Sequence, residues 1–448
     1  MGSRLWMGLA AGFACAGVGI AMARSRPGKR PLPAPSYDSA GVRVLVLGGG
    51  FGGFTTARVL ARRLAARRDV AIRLVDRGDS LTFWPMVPEV IPGAIQAAHI
   101  VRSLREELAP IGVEFVRTPV ISADLNRCTV QTGVGDMAYD KLVVAMGWQT
   151  SFFGTPGAAE HCLTMQSLTD AVSVRARIVD QFEAAAAGCR HDLRFVVVGG
   201  GSTGVEVVAG ISELIDILIP QYPGLSADDV NLTVAQAKPD LLPDMEKPLR
   251  QAAASRLRKD GIELRTDSTV KSVDERGVVL DSGDRLDAST VVWTAGVEPS
   301  PIARRLKGAR LDKRGRLKVD ACLRVSGQSG VYALGDIAAV TFAGKAVAPT
   351  AQAAVQEAAA VANNLAAEVT GGEPEAFQYR FMGQLVTLGG RFAVSQVFGA
   401  RLSGWAGHLL WRGVYLYKLG DWRDRLHVVS DWSIRVLAGP SVPRLRLR

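Results

Sequence analysis

Two stretches of this chain repeat one arrangement of apolar and small residues. Val42–Leu47 reads Val-Arg-Val-Leu-Val-Leu, a nearly continuous apolar run of the kind buried on both faces of a parallel sheet. Gly48-Gly49-Gly50-Phe51-Gly52-Gly53 follows at once, and residues 54–64 return to a helical period. A second strand is expected over residues 71–75, closing on Asp76. Further along, Phe195-Val196-Val197-Val198 leads into Gly199-Gly200-Gly201-Ser202-Thr203-Gly204, residues 205–211 continue as a helix, and Val230–Ala235 forms a strand that ends at Gln236. A third apolar run, Val331-Tyr332-Ala333-Leu334, stops at Gly335-Asp336. Strands alternating with helices in this way predict an α/β fold with parallel sheets.

The chemistry lies in the turns. After a strand and before a helix, Gly48 makes the tight turn, Gly50 lets a pyrophosphate approach the backbone, and Gly53 lets helix and strand pack closely. The phosphates then meet the free N–H groups at the helix start, and Asp76 is placed to accept hydrogen bonds from an adenosine ribose. Gly199, Gly201 and Gly204 repeat the three roles. Gln236 lacks the negative charge that would repel a 2′-phosphate, so NADH and NADPH both stay open as donors. Two such folds imply two nucleotides, most simply a tightly held FAD and an exchanging NAD(P)H that donates hydride. Gly335-Asp336 adds a carboxylate for the ribityl chain of a flavin; alone it would read as an ordinary turn.

Together these features predict two Rossmann-like dinucleotide-binding domains. A discontinuous FAD-binding domain is expected over residues 41–160 and 298–375, with an NAD(P)H-binding domain inserted at 161–297. Residues 1–40 read as a hydrophobic segment with a Pro-rich basic linker, and residues 376–448 as a C-terminal membrane-associating domain.

Composition narrows the class without changing it. With 448 residues, 48% hydrophobic and 21% charged, the chain is too long for one simple core and too apolar to be disordered. The net charge of +10 sits at the ends: residues 1–40 hold five Lys/Arg against one Asp, and residues 401–448 hold nine against three, which leaves the middle neutral. Basic ends rich in aromatics suit anionic lipid better than nucleic acid; plain solubilising charge is the alternative. The five cysteines form no CxxC pair and no disulfide framework, and the five histidines form no helical metal pair. No metal is expected.

Residues 5–23 are uncharged and close to the ~20 residues that span a bilayer. They read as an uncleaved anchor, with a secretory signal ending near Ala21-Met22-Ala23 or a featureless extension as alternatives. Arg24, Arg26, Lys29 and Arg30 behind them place the body on the cytoplasmic face of the cell membrane. In the tail, Trp405, Trp411, Trp422 and Trp432 are interleaved with Tyr415, Tyr417, Arg412, Lys418, Arg423 and Arg425, a mixture suited to the headgroup layer. A helix packed on the core, or on the partner in a homodimer, would use the same residues.

With these elements in order, residues 42–437 resemble the two-dinucleotide-binding flavoproteins, and among them the type II NADH:quinone dehydrogenases. The resemblance is carried further by Phe83-Trp84-Pro85-Met86-Val87-Pro88-Glu89, Leu142-Val143-Val144-Ala145-Met146-Gly147, Gly154-Thr155-Pro156-Gly157, and Trp293-Thr294-Ala295-Gly296-Val297. Ala351-Gln352-Ala353-Ala354-Val355-Gln356 and the aromatic tail single out the quinone-reducing branch. What the resemblance implies is non-covalent FAD, with Gly147 beside it and Gly296 on the NAD(P)H side, and a membrane quinone as acceptor without proton pumping. It also implies that Gln352 and Gln356, neighbours on one helix face, lie where a quinone docks, and that Glu206 lies at the nicotinamide side. Without the family, the glutamines would read as a polar helix surface and Glu206 as a helix-start acid. Rival functions are a sulfide:quinone oxidoreductase, which needs two cysteines converging on the flavin, a soluble-acceptor reductase of the ferredoxin or rubredoxin type, and a redox sensor that binds both nucleotides without turnover.

Overall fold

The structure, a computed structural model, describes residues 35–188 and 193–440. Residues 5–23 lie outside the described residues, and no helix within the described residues is long and apolar enough to cross a membrane.

Two five-stranded parallel sheets organise the chain, and their strand orders correspond. In the first, Val331–Ala333, Lys141–Val144, Val42–Leu47, Val70–Asp76 and Val113–Arg117 lie side by side. In the second, the order is Cys162–Thr164, Thr290–Trp293, Leu193–Val198, Val230–Ala235 and Glu263–Arg265. The apolar runs that announce the central strands are buried on both faces: Val44, Leu45, Val46 and Leu47 in one sheet, Phe195, Val196, Val197 and Val198 in the other. Burying each such side chain contributes about 1.5–3 kcal/mol, which explains why these strands sit at the centre. The chain crosses between the sheets twice, and the crossings pair with each other: Trp148–Thr150 runs antiparallel to Val297–Pro299.

Helix α1, Phe51–Arg63, follows the first glycine turn, and α2, Ser202–Leu218, follows the second. Both begin three residues earlier than the apolar period suggests, and α2 runs on to Leu218. The turn glycines themselves form the first helical turn, with Gly50 and Gly201 as N-caps that offer no side-chain hydrogen bond. The N–H groups at these helix starts are thereby left for an anion. Helix α3, Ala351–Thr370, is rich in alanine, starts at Thr350, whose hydroxyl accepts from the Ala353 N–H (3.2 Å), and stops at Gly371 with φ +82°. It packs along α1.

A small antiparallel sheet, Gly383–Thr387, Ala393–Val397 and Ala400–Gly404, precedes α4, Trp405–Lys418, and α5, Trp422–Ala438. The four tail tryptophans divide. Trp411 (0% exposed) and Trp432 (7% exposed) join the hydrophobic core of the second sheet, and the Arg412 guanidinium stacks over the Trp432 ring at 4.4 Å. Trp405 (64%) and Trp422 (56%) face outward, with Leu426, Ile434, Val436 and Leu437. Only half of the aromatic tail is therefore available to a headgroup layer. The helical period puts the other half on the inner face, where apolar burial wins.

Candidate active site

One cavity of about 1840 Å³ runs between the two sheets and under the C-terminal segment. Its wall includes Gly48, Gly49, Gly50, Asp76, Gly147, Asp336, Gln352 and Gln356 from the first-sheet side, and Ser202, Thr203, Glu206 and Gly296 from the second.

At the first turn, Gly48 adopts φ +101°, and a Cβ there would stand 2.3 Å from the Ala145 carbonyl oxygen. A Cβ on Gly53 would stand 1.8 Å from the Gly48 carbonyl oxygen, whereas one on Gly50 would meet nothing. The turn therefore needs glycine for its own closure at 48 and 53 and leaves open space at 50 for a ligand. Asp76 accepts from the Gly49 N–H (2.6 Å) and the Gly78 N–H (2.7 Å), so it holds the turn while facing the cavity. Gly335, at φ +72°, donates to the buried Glu357 carboxylate at 2.6 Å, which fixes the turn that carries Asp336. Burial pushes the Asp336 carboxyl up to about 6, and no side-chain partner of Asp336 is found among the described residues. Glu357 is pushed up to about 7, by burial first and by the nearby Asp336. An open glycine turn at an uncapped helix start, and an unpartnered carboxylate on the same side of the cavity, fit the pyrophosphate and the polyol of FAD.

The second turn copies this geometry. Gly199 has φ +110°, a Cβ on Gly204 would stand 1.8 Å from the Gly199 carbonyl oxygen, and Gly201 is open. Gln236 takes the place of Asp76: its Oε1 accepts from the Gly200 N–H (3.1 Å) and its Nε2 donates to the Asp240 carbonyl (3.1 Å). Gly199, Gly201, Gly204 and Gln236 do not line the cavity; only the residues that begin α2 reach it. Gly296, at φ +105°, underlies the Phe153 ring, which a Cβ would approach to 2.2 Å. Gly147, at φ +60°, sits at the cavity wall beside the first crossing strand.

Glu206, on α2, accepts from the Thr387 N–H at 3.2 Å. Burial pushes its carboxyl up to about 8, with the Thr387 N–H opposing and Glu89 adding to the rise. Gln352 and Gln356 lie one turn apart on α3, as their spacing implies, but their amides are engaged. Gln352 Oε1 accepts from the Met382 N–H (2.9 Å), while Gln356 accepts from the Arg380 N–H and donates to its carbonyl, both at 3.0 Å. Gln384 then reaches Ser202 (2.7 Å). Residues 380–387 thus form a strap from α3 to α2, and the two glutamines brace it as well as lining the cavity.

Several residues of the cavity carry no motif. Tyr415 and Lys418, expected at the headgroup layer, belong to its wall, and burial lowers the Lys418 pKa. Tyr415 packs edge-on against Trp411 (5.0 Å) and Phe83 (6.1 Å). Glu357 does not line the cavity but braces the Gly335 turn beside it; it is 2% exposed and follows Gln356 directly, and an acid on the inward face of an alanine helix is the signal that marks it. Neither Cys162 nor Cys322 lines the cavity, and burial raises the Cys162 thiol to about 12, so it stays protonated. No group of His, Cys, Asp or Glu among the described residues is arranged to hold a metal ion.

Residues 42–358 match the pyridine nucleotide-disulphide oxidoreductase family. The chain is 32% identical over 417 residues to the type II NADH:quinone oxidoreductase Ndh of Mycobacterium tuberculosis, with 88% of each chain covered. Its fold is similar to that of NDH2 from Plasmodium falciparum in complex with NADH, with a TM-score of 0.83 at 18% identity, covering 91% of this chain and all of that one. The sulfide:quinone oxidoreductase of Aquifex aeolicus shares the fold with a TM-score of 0.71 at 19% identity, covering 88% of this chain and 95% of that one.

Proposed function

The chain belongs to the type II NADH:quinone oxidoreductases, within the pyridine nucleotide-disulphide oxidoreductase family, and we propose that its two nucleotide folds and shared cavity oxidise NAD(P)H and reduce a membrane quinone. FAD, when bound, would supply the redox chemistry, hydride acceptance from a nicotinamide and two-electron delivery to a quinone, without proton pumping. The observation that carries the reading is the single cavity on which both nucleotide folds and the Gln352–Gln356 helix face open.

The residues of the chain provide binding and orientation. The first turn, with Asp76 bracing it, receives the pyrophosphate and adenosine of the cofactor, and Asp336 its polyol; Glu357 holds Asp336 in place. Gly147 leaves room beside the cofactor. The second turn receives the donor pyrophosphate at the start of α2, while Gly296 and Glu206 bound the nicotinamide side. Glu206, with its carboxyl near 8, holds a proton at neutral pH. Gln352 and Gln356, together with the strap they brace, bound the quinone side.

The outward apolar faces of α4 and α5, with Trp405, Trp422 and Leu437, support seating on a lipid surface at the cytoplasmic face of the membrane. A homodimer would bury the same face. A sulfide:quinone oxidoreductase is disfavoured because neither Cys162 nor Cys322 opens on the cavity.

The test is anaerobic stopped-flow reduction of the purified protein by NADH and by NADPH, followed by mixing with a short-chain quinone. Fast bleaching and fast reoxidation by quinone are expected. Reoxidation only by a redox protein would move the function to a soluble-acceptor reductase.

A further inference from the structure

Donor and acceptor do not balance in protons by themselves. NAD(P)H gives up a hydride, two electrons with one proton, whereas reducing a quinone to its quinol takes two electrons and two protons. One proton per turnover is therefore drawn from solvent. With nucleotide and quinone seated, water is displaced from the cavity, and that proton needs another way in.

Helix α2 carries two acids on one face. Glu206 lines the cavity, and Glu213, two turns further along, has a side chain 26% exposed. Gly210 lies between them on the same face, and there residues 88–92 cross the helix: a Cβ on Gly210 would stand 3.2 Å from the Pro88 carbonyl oxygen and 3.3 Å from Pro92 Cδ. The crossing brings Glu89 between the two helix acids. Glu89 is 7% exposed, and no hydrogen-bond donor reaches its carboxylate among the described residues. Its charge acts on Glu206 on one side, and that of Glu213 acts on it from the other. Arg435 of α5 closes the outer end, with one nitrogen on Glu213 (2.6 Å) and another on the Pro92 carbonyl (2.9 Å).

The cations facing Glu89 are Arg412 and Arg435. Arg412 is stacked on Trp432 instead of pairing with it; its Nε has no partner among the described residues, and neither do the ring nitrogens of buried His408 one turn back on α4. Buried polar atoms of this kind are satisfied by internal water, and water between carboxyls passes protons. Burial pushes Glu89 up to about 7 and Glu206 up to about 8, so each holds a proton and gives it up close to neutral pH.

We propose that Glu213, Glu89 and Glu206 form a proton inlet from the surface beside Arg435 to the cavity, with Glu89 as the middle relay acting through Glu206. The inference rests on the quinone reading given above. A proton taken up at Glu213 passes to Glu89 and then to Glu206, which releases it into the cavity; each carboxyl returns to its starting state and no electrons move along the path.

The test is stopped-flow on the FAD-loaded protein, with flavin reduction by NADH and reoxidation by a short-chain quinone read separately from about pH 6 to 9. In the unaltered protein the quinone step is expected to slow as pH rises through this range. Glu89→Gln, an isosteric change, should slow that step about tenfold and flatten its pH profile, while flavin reduction stays within about twofold. Glu89→Asp returns a carboxyl and should recover the profile in part; Glu213→Gln, at the outer end, should slow the quinone step about threefold. Apart from turnover, the infrared band of protonated carboxyls, taken without substrates at about pH 6, should lose a component in Glu89→Gln.

A quinone step that keeps its rate and pH profile in Glu89→Gln overturns the inlet. So does equal slowing of both steps, which makes Glu89 a structural residue, or an unchanged carboxyl band. If quinone fails to reoxidise the unaltered protein, the functional reading falls and the inlet with it; that outcome is seen before any variant is compared, so the two failures are told apart.

Discussion

The first glycine turn opens on the cavity from Gly48 to Gly52, the second only with the residues that start its helix. Gly48, Gly49, Gly50 and Asp76 line the cavity; Gly199, Gly200, Gly201 and Gln236 do not. Yet the backbones agree closely: φ is +101° at Gly48 and +110° at Gly199, and both third-position glycines would place a Cβ 1.8 Å from the first glycine's carbonyl oxygen. One local rule thus produces two turns of equal burial, only one of which faces the cavity. What differs is the packing: α3 lies along α1, and among the described residues no helix packs as extensively along α2. Whether a turn faces the cavity is a tertiary property that the glycines do not encode.

The sharpest way to break this comparison is to damage each turn equally. Gly53→Ala and Gly204→Ala each force a methyl into the same close approach, and each should cost about 3 kcal/mol locally. Gly53→Ala is expected to purify without flavin, as read from the 450 nm absorbance; Gly204→Ala should keep its flavin and lose donor binding. Loss of flavin from both variants would mean the turns are not independent. Smaller effects follow at the strand ends. Asp76→Ala removes the acceptor from two backbone N–H groups as well as from a ribose, and should weaken FAD roughly 100-fold, about 3 kcal/mol. Gln236→Ala should leave flavin occupancy unchanged. Gln352→Ala combined with Gln356→Ala should slow quinone reduction about tenfold in stopped-flow while flavin reduction by NADH stays within about twofold. Equal slowing of both steps would assign the glutamines to the strap alone.

The strands and turns of both folds were legible because each rests on a local signal: an apolar run that only a buried parallel strand satisfies, then glycines demanded by backbone contacts a few residues away. Gln352 and Gln356 were legible as one helix face, but not their engagement with Arg380 and Met382, which joins segments far apart in the chain. The tail suits both a headgroup layer and a helix packed on the core, and the sequence alone does not divide its tryptophans between them. Trp411 follows Leu409 and Leu410 while Trp422 sits between Asp421 and Arg423, but it is the packing of α4 on the small antiparallel sheet that makes the first a core tryptophan and leaves the second on the surface. The consequence is practical: deleting residues 404–448 would strip Trp411, Val428 and Trp432 from the core. Membrane seating is better probed with Leu437→Asp, at a side chain 87% exposed, which should reduce pelleting with anionic vesicles without lowering thermal stability.

The smallest effect expected is a slope in pH. The acids that the two halves present to the cavity are set differently by burial: Asp336 at about 6 and Glu206 at about 8. At pH 7 the first side carries an anion and the second a neutral acid. A carboxyl raised on folding contributes stability that is fully present below its unfolded value, about 4.5 for Glu206, and lost as pH rises through about 8. Glu206→Gln holds no titrating proton, so it should lose less stability than the unaltered protein between pH 5 and 9. The difference should be on the order of 1–2 kcal/mol, well below the full shift because water in the cavity screens the charge. Glu89, itself raised to about 7 by burial and by Glu213, keeps its own slope of the same sign, so the quantity to read is the gap between the two denaturation curves at each pH. Curves that run parallel across the range would show that Glu206 is ionised at neutral pH, and the contrast between the charged and the neutral side of the cavity would be lost.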